Sequence, residues 1–261
     1  MTGTPLDVAF VSALYRRFLP ELRRVRDEQQ LRYAERGDAK LERFAAYRVL
    51  RAALRALGLP PHYKRRLKPQ FDDIEAEVTY LLVRAFRPAT VVEIAPDRGW
   101  STTWLLAALR DNGNGHLCSY DVHDYSIRAV PRDLADGRWT FTQGDVTRPP
   151  DRLPPRIDYL FLDAAHSAPF ARWYLTELLP RLRPGTPVGI HDIFPPAERL
   201  DRFGEAGVVQ DWLAKRGAPY FTAAPTASPD AYDRLMALKR ELGLAAPIHS
   251  SQANPMVFFQ M

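Results

Sequence analysis

The sequence predicts a doubly wound α/β fold on a seven-stranded sheet, and three observations carry that expectation. Thr90 to Ile94 is a β-branched apolar run of the kind that forms a strand buried on both faces. Pro96 and Gly99 end it in a sharp turn; Trp104, Leu105, Ala108 and Leu109 then recur at helical spacing, with Ser101 as the expected N-cap. The second observation is Leu117 to Asp121, a further strand that ends in an acid, about twenty residues past Gly99. The third is the alternation of apolar runs and helical patterns along the rest of the chain. A strand, a glycine-bearing turn and a helix opening toward a ligand begin a nucleotide-type βαβ unit, so the sheet should be Rossmann-like.

The first turn discriminates among nucleotide cofactors. A carboxylate offers two oxygens with several lone pairs, so Asp121 can accept both hydroxyls of a ribose. A dinucleotide fingerprint needs G-x-G-x-x-G to let bare backbone approach a pyrophosphate. Here the region holds Ala95, Asp97 and a single glycine, Gly99, and Asp97 adds negative charge where phosphates would sit. NAD is therefore disfavoured. A ligand with adenosine, a cationic centre and no phosphate tolerates acids at this turn, and S-adenosylmethionine (SAM) is such a ligand.

Glu93-Ile-Ala-Pro-Asp-Arg-Gly99 resembles the first motif of class I SAM-dependent methyltransferases, E-x-G-x-G-x-G, with Ala95 and Asp97 in place of two glycines. It is closer to a subgroup with E-I-x-P-x-x-G-W-S-T in that position and D-x-x-H and H-D farther on. Those motifs are matched by Asp163-Ala-Ala-His166 and His191-Asp192. The resemblance covers about residues 70 to 225. It implies the class I methyltransferase fold and SAM as cofactor, with Glu93, Ala95, Pro96, Gly99, Ser101, Asp121, Val122, Gly144, Asp145 and Asp163 as the cofactor-binding residues. In similar methyltransferases a Gly-Asp pair after the third strand brackets the adenine, the acid accepting its exocyclic amine. Gly144-Asp145 is read that way, with a plain turn as the alternative.

Composition bounds the rest. A chain of 261 residues, 46% apolar and 26% charged, is long enough for one large α/β domain or a domain with an appendage. No apolar run approaches the roughly 18 residues of a membrane span, and no signal-peptide pattern opens the chain. The lone cysteine, Cys118, excludes an intrachain disulfide and fits a reducing cytoplasm; within the second strand it is expected to be buried and inert. The net charge of +5 raises the question of nucleic acid. The arginines, however, are spread over amphipathic helices, and the one basic cluster, Tyr63 to Lys68, reads first as a solvated helix end or linker.

Residues 1–68 are expected to form an N-terminal helical extension ahead of a SAM-binding methyltransferase domain over 69–261. Leu14, Phe18, Leu22 and Val25 mark one helix; Tyr47, Leu50, Leu54 and Leu57 mark a second, ended by Gly58 and Pro60, with polar residues between them. The extension could be a lid over the site, a dimerisation surface giving a homo-oligomer, or packing alone. Pro69 to Phe86 is a third helix with Phe71, Ile74, Val78, Leu81 and Leu82 inward. Glu75 and Glu77 are placed on its outer face, although one could reach the cofactor.

Beyond Asp121, His123 reads as a surface histidine. Trp139 to Gln143 alternates as a third strand. Ile157 to Leu162 is a nearly continuous apolar run, hence a central parallel strand, and it delivers Asp163 and His166 to the edge where ligands bind in open α/β sheets. Phe170, Trp173, Tyr174 and Leu178 build a helix, and Pro187 to Ile190 is a fifth strand that ends in His191-Asp192. A helix follows with Val208, Val209, Trp212 and Leu213 inward and Glu205 near its start, placed against the helix dipole. Pro219 to Thr222, a helix from Tyr232 to Leu242 and Asn254 to Phe259 complete the seven strands. In class I methyltransferases the last strand is antiparallel.

Adjacent strand ends thus bring Asp163, His166, His191 and Asp192 into one crevice. Three uses are open. His166 could take an acceptor's proton during methyl transfer, with Asp163 and His191 assisting. Asp163 and Asp192, with His191 as a further donor, could bind Mg²⁺ or Mn²⁺, as acids at these strand ends do in similar metal-dependent O-methyltransferases. His191 and Asp192 could instead only bond loop backbone.

The leading reading is a methyl transfer to an oxygen or nitrogen of a small-molecule acceptor, in secondary metabolism. Some proteins resembling this subgroup are labelled hydroxylases of β-lactam antibiotics, and His166, His191 and one acid could supply a 2-His-1-carboxylate triad. A non-enzymatic protein binding a partner or nucleic acid through Lys64 to Lys68 is the third reading.

Overall fold

The seven expected strands form at β1 (Thr90–Ile94), β2 (His116–Asp121), β3 (Trp139–Gln143), β4 (Tyr159–Leu162), β5 (Pro187–Ile190), β6 (Tyr220–Thr222) and β7 (Val257–Gln260). The computed structural model describes residues 5–35, 72–148, 153–196, 204–249 and 253–261. The strands make one sheet in the order β3-β2-β1-β4-β5-β7-β6. The first five are parallel, and β7 is antiparallel to both β5 and β6. The chain runs outward from β1 to β2 and β3, then returns to β4 on the other side of β1. That reversal opens a crevice at the carboxyl ends of β1 and β4, where ligands bind in such sheets.

Alternate strand residues face opposite sides. Val91, Phe161 and Phe258 enter a core with α1 (Val8–Arg17), α2 (Leu19–Glu35), α3 (Asp73–Phe86), α4 (Trp100–Asn112) and α9 (Pro229–Glu241). Val92, Leu160, Val188 and Phe259 enter the other, with α7 (Ala168–Trp173) and α8 (Glu205–Arg216). Two short helices, α5 (Tyr125–Ala129) and α6 (Arg132–Ala135), link β2 to β3. Gly189 in β5 leaves room for its antiparallel neighbour, since a Cβ there would crowd the Met256 methyl and lie 3.3 Å from the Phe258 ring.

In the first helices, Leu14, Phe18, Leu22 and Val25 are buried as their spacing predicts, and they join the core of α3, α4 and α9. Pro20 lacks a backbone N–H, and the helix breaks at Phe18 into α1 and α2. The expected helix from Tyr47 to Leu57 and the basic cluster at 63–68 lie outside the described residues.

Two expectations are corrected here. Glu75 and Glu77 are not on an outer face but 1% and 0% exposed. The reason is that α3 is covered on all sides: every residue from Ile74 to Arg84 is buried. Buried carboxylates persist only where partners satisfy them. Glu77 accepts from Tyr15 Oη at 2.6 Å and from Lys239 Nζ at 2.7 and 2.8 Å, and it also pairs with Arg26. The second correction concerns the helix through Tyr174 and Leu178. It stops being α-helical at Trp173 and continues as a π turn over Tyr174–Leu178.

Candidate active site

The turn after β1 reproduces a glycine-rich conformation with fewer glycines. Ala95, Asp97 and Gly99 adopt φ of 63°, 41° and 82°. A left-handed non-glycine residue costs about 1–2 kcal/mol, so the turn needs local support. Ala95 N donates to the Tyr120 carbonyl at 2.7 Å, and Asp97 N donates to Asp121 Oδ2 at 3.0 Å. Gly99, not Ser101, occupies the N-cap of α4. Ser101 is the second helical residue, and its hydroxyl donates to Glu93 Oε1 at 2.6 Å.

Glu93 lies behind the turn, fully buried, and also accepts from Thr102 at 2.9 Å and Ser119 at 2.5 Å. Burial pushes its carboxyl up to about 7 against the opposing pull of these hydroxyls. Glu93 and Ser101 thus tie β1, α4 and β2 together.

A cavity of about 530 Å³ opens over the carboxyl ends of β1, β2, β3 and β4. Among the expected cofactor residues, Ala95, Asp121, Val122, Gly144 and Asp145 line it. Ile94, Val146, Phe170 and Trp173 give it apolar walls, the two rings stacked at 5.4 Å. Asp121 Oδ1 accepts from His123 N at 2.9 Å, so backbone donors orient its carboxylate from two sides. Asp145 accepts from the Thr147 backbone and hydroxyl, which hold its carboxyl below the ordinary range. Pro96 and Gly99 shape the turn, Gly99 N donating to the Pro96 carbonyl at 2.7 Å.

The strand ladder delivers the acid–histidine cluster next door. Asp163 N donates to the Ile94 carbonyl and His191 N to the Leu162 carbonyl, which fixes both residues at neighbouring strand ends. His191 is buried with Nδ1 3.2 Å from Asp163 Oδ1 and 3.5 Å from Asp192 Oδ1, and with Nε2 3.4 Å from Glu75 Oε2. Burial would lower its pKa, but the Asp163 and Glu75 carboxylates outweigh burial and raise it well above the usual value. Glu75 in turn accepts from Asp72 N at 2.8 Å and Met256 N at 2.6 Å.

His166 has a half-exposed side chain. Its Nδ1 lies 2.8 Å from Glu205 Oε2, and its Nε2 lies 3.4 Å from Asp192 Oδ2 and 3.8 Å from Asp163 Oδ1. The Glu205 hydrogen bond raises the His166 pKa. Burial raises that of Glu205, opposed by its bonds to His166 and Tyr174.

All four expected residues of the cluster are therefore together. Glu75, Glu205 and Tyr174 complete it without having been assigned to it. Glu205 was placed correctly at a helix start, but its partner comes from a distant strand end, and no local pattern signals that.

At the expected cation site the His191 Nδ1 lies near both carboxylates, those of Asp163 and Asp192. Among the described residues no group of three His, Cys, Asp or Glu side chains is arranged to hold a metal. The same holds for the 2-His-1-carboxylate triad. Among the described residues no helix is long and apolar enough to cross a membrane.

This sheet, with a ligand-sized cavity at its switch point, sits on a recognisable stretch of sequence. Residues 92–193 match a family described as a methyltransferase domain. No curated protein matches the chain. Among solved structures, the chain is similar to an O-methyltransferase of Bacillus cereus in complex with SAH (16% identity, 66% of this chain and 81% of that one, TM-score 0.48). It is also similar to a candidate O-methyltransferase of Klebsiella pneumoniae (19%, 97% and 96%, TM-score 0.48). A third is the O-methyltransferase TomG of Streptomyces achromogenes, involved in tomaymycin synthesis, in complex with SAM (16%, 80% and 86%, TM-score 0.44). At such identities and TM-scores these similarities carry no functional weight. The matched stretch runs from within β1 to the turn after β5, and it includes the cavity walls at Ala95 and Asp121 and the cluster from Asp163 to Asp192.

Proposed function

We propose that this chain is a SAM-dependent methyltransferase that acts on an oxygen or nitrogen of a small-molecule acceptor, with His166 as general base. The observation that supports it most is the double use of one segment. Ala164, Ala165 and Ser167 line the cavity, while His166 between them faces Asp192 and Glu205. A cofactor site and a base therefore share a wall.

The cavity suits SAM in size and lining. Pockets for such ligands measure about 300–1,000 Å³ and are mostly apolar with a few placed polar groups. Asp121 would accept the ribose hydroxyls, and Val122, Val146, Phe170 and Trp173 would cover the adenine. When bound, SAM supplies an activated methyl group on a sulfonium. The chain's own task is to align and desolvate the acceptor. His166 takes the acceptor's proton at Nε2, and the carboxylates of Asp163 and Asp192 stabilise the resulting imidazolium. No step in this account uses Cys118 or a metal.

Calorimetric titration of the metal-stripped protein with SAM and with SAH tests the cofactor. Micromolar binding is expected, weakened about 10- to 100-fold in Asp121→Ala, since a hydrogen bond to a charged group contributes about 1.5–3 kcal/mol. Asp121→Asn, which keeps one acceptor oxygen for the turn, should fall between. A wild-type protein that binds neither ligand would remove the proposal.

A further inference from the structure

The geometry points to Glu205, held by Tyr174, as a positioning residue that fixes the tautomer and ring orientation of His166. This inference rests on the reading of His166 as base. A base at Nε2 needs its lone pair there, so the proton of the neutral ring must sit on Nδ1. Nδ1 lies 2.8 Å from Glu205 Oε2, and an ionised carboxylate can only accept, so this contact holds the proton on Nδ1. The second oxygen, Oε1, accepts from the Tyr174 hydroxyl at 2.9 Å. Burial holds that phenol far above its usual pKa, so it remains a donor. Glu205 thus has one oxygen for each partner and little rotational freedom.

The local fold explains how these groups meet. Tyr174 opens the π turn that follows α7. Such a turn displaces later side chains from α-helical register and is often found at functional sites. Glu205 opens α8, where free backbone N–H groups and the helix dipole favour a negative charge despite its 3% exposure. Gln210, also on α8, donates to the Ile193 carbonyl at 2.6 Å, which pins the helix to the strand end bearing His191 and Asp192. In the methyl-transfer step one proton passes from the acceptor to Nε2 while the Nδ1 proton stays on the ring. Glu205 remains ionised throughout.

Imidazole ¹⁵N NMR of histidine-labelled protein, with His166→Asn to assign the resonance, reads the tautomer without any turnover. Neutral His166 should be the Nδ1–H form in the wild type and a mixture in Glu205→Ala. Glu205→Gln leaves one carbonyl oxygen, which the Tyr174 hydroxyl claims, so its amide N–H group should donate to Nδ1 and shift neutral His166 to the Nε2–H form. In turnover, Glu205→Ala should lower kcat about 10²-fold, the scale of a misplaced catalytic group, with KM for SAM unchanged. Glu205→Gln should lose at least as much, and Tyr174→Phe, which leaves the carboxylate in place, should lose less. An unchanged tautomer in Glu205→Ala or in Glu205→Gln would overturn the assignment. Failure of the methyltransferase reading would appear separately, as absent SAM binding with the tautomer effect intact.

Discussion

Glu77 and Glu205 are both helix carboxylates sealed from water, at 0% and 3% exposure, yet their surroundings differ in kind. Glu77 is met by Arg26, Lys239 and Tyr15, three donors from three other helices, all buried. That cluster continues through Arg26 only to Asp73 and the Ala246 carbonyl, which are structural contacts, and it joins α1, α2, α3 and α9. Glu205 is met by Tyr174 on one side and by a half-exposed imidazole on the other, which passes the contact on toward Asp163 and Asp192. A closed cluster stabilises packing; an open one offers an edge to a ligand. Burial alone does not separate them. The exposure of the last group in each chain of contacts does.

Substitutions should pull the two apart. The largest expected effect is on turnover: His166→Ala should lower kcat by about 10²–10⁴-fold, the range for a general base, with the urea midpoint little moved because the ring is half exposed. Glu77→Ala should do the reverse. It leaves Lys239 buried without its carboxylate and Arg26 with Asp73 at 3.8 Å, a loss of about 3–5 kcal/mol, visible as an earlier urea transition, with SAM affinity of the folded protein retained.

Glu93 makes a third case, a buried acid with only hydroxyl donors, and it sharpens the comparison through pH. Its carboxyl is raised from 4.5 to about 7, so the native state holds the proton more tightly than the unfolded chain. That stabilising contribution is complete below 4.5 and is lost as pH rises through about 7. Glu93→Gln should flatten the dependence of the urea midpoint across this window. The smallest effect expected is none: treatment with a chelator should leave the SAM isotherm and turnover unchanged, because no step of the proposed transfer uses a metal.

The strands were legible because a parallel sheet buried on both faces demands unbroken apolar runs, and Thr90–Ile94 and Ile157–Leu162 can hardly be read otherwise. His166, His191 and the two aspartates were legible for a related reason, since each follows such a run directly. The three acids on helices were harder. Glu75 and Glu77 stand where an amphipathic helix would expose them, and only the helices covering α3 show that no such face exists. Glu205 was seen as a helix start but not as a partner of His166. Phe170, Trp173, Tyr174 and Leu178 fit an α-helix by spacing, so the π turn left no mark in the pattern.

The position of β7 has a consequence for how the protein is made. The strand latest in sequence lies inside the sheet, between β5 and β6, and among the described residues β6 pairs with no other strand. On the ribosome, β1 to β5 can assemble as they emerge, but β6 must wait, its backbone unpaired, until Val257 and the residues after it leave the exit tunnel. Nascent chains halted before that point should therefore hold a five-stranded sheet, with the cavity residues from Ala95 to Trp173 already synthesised and one strand edge open to wrong partners.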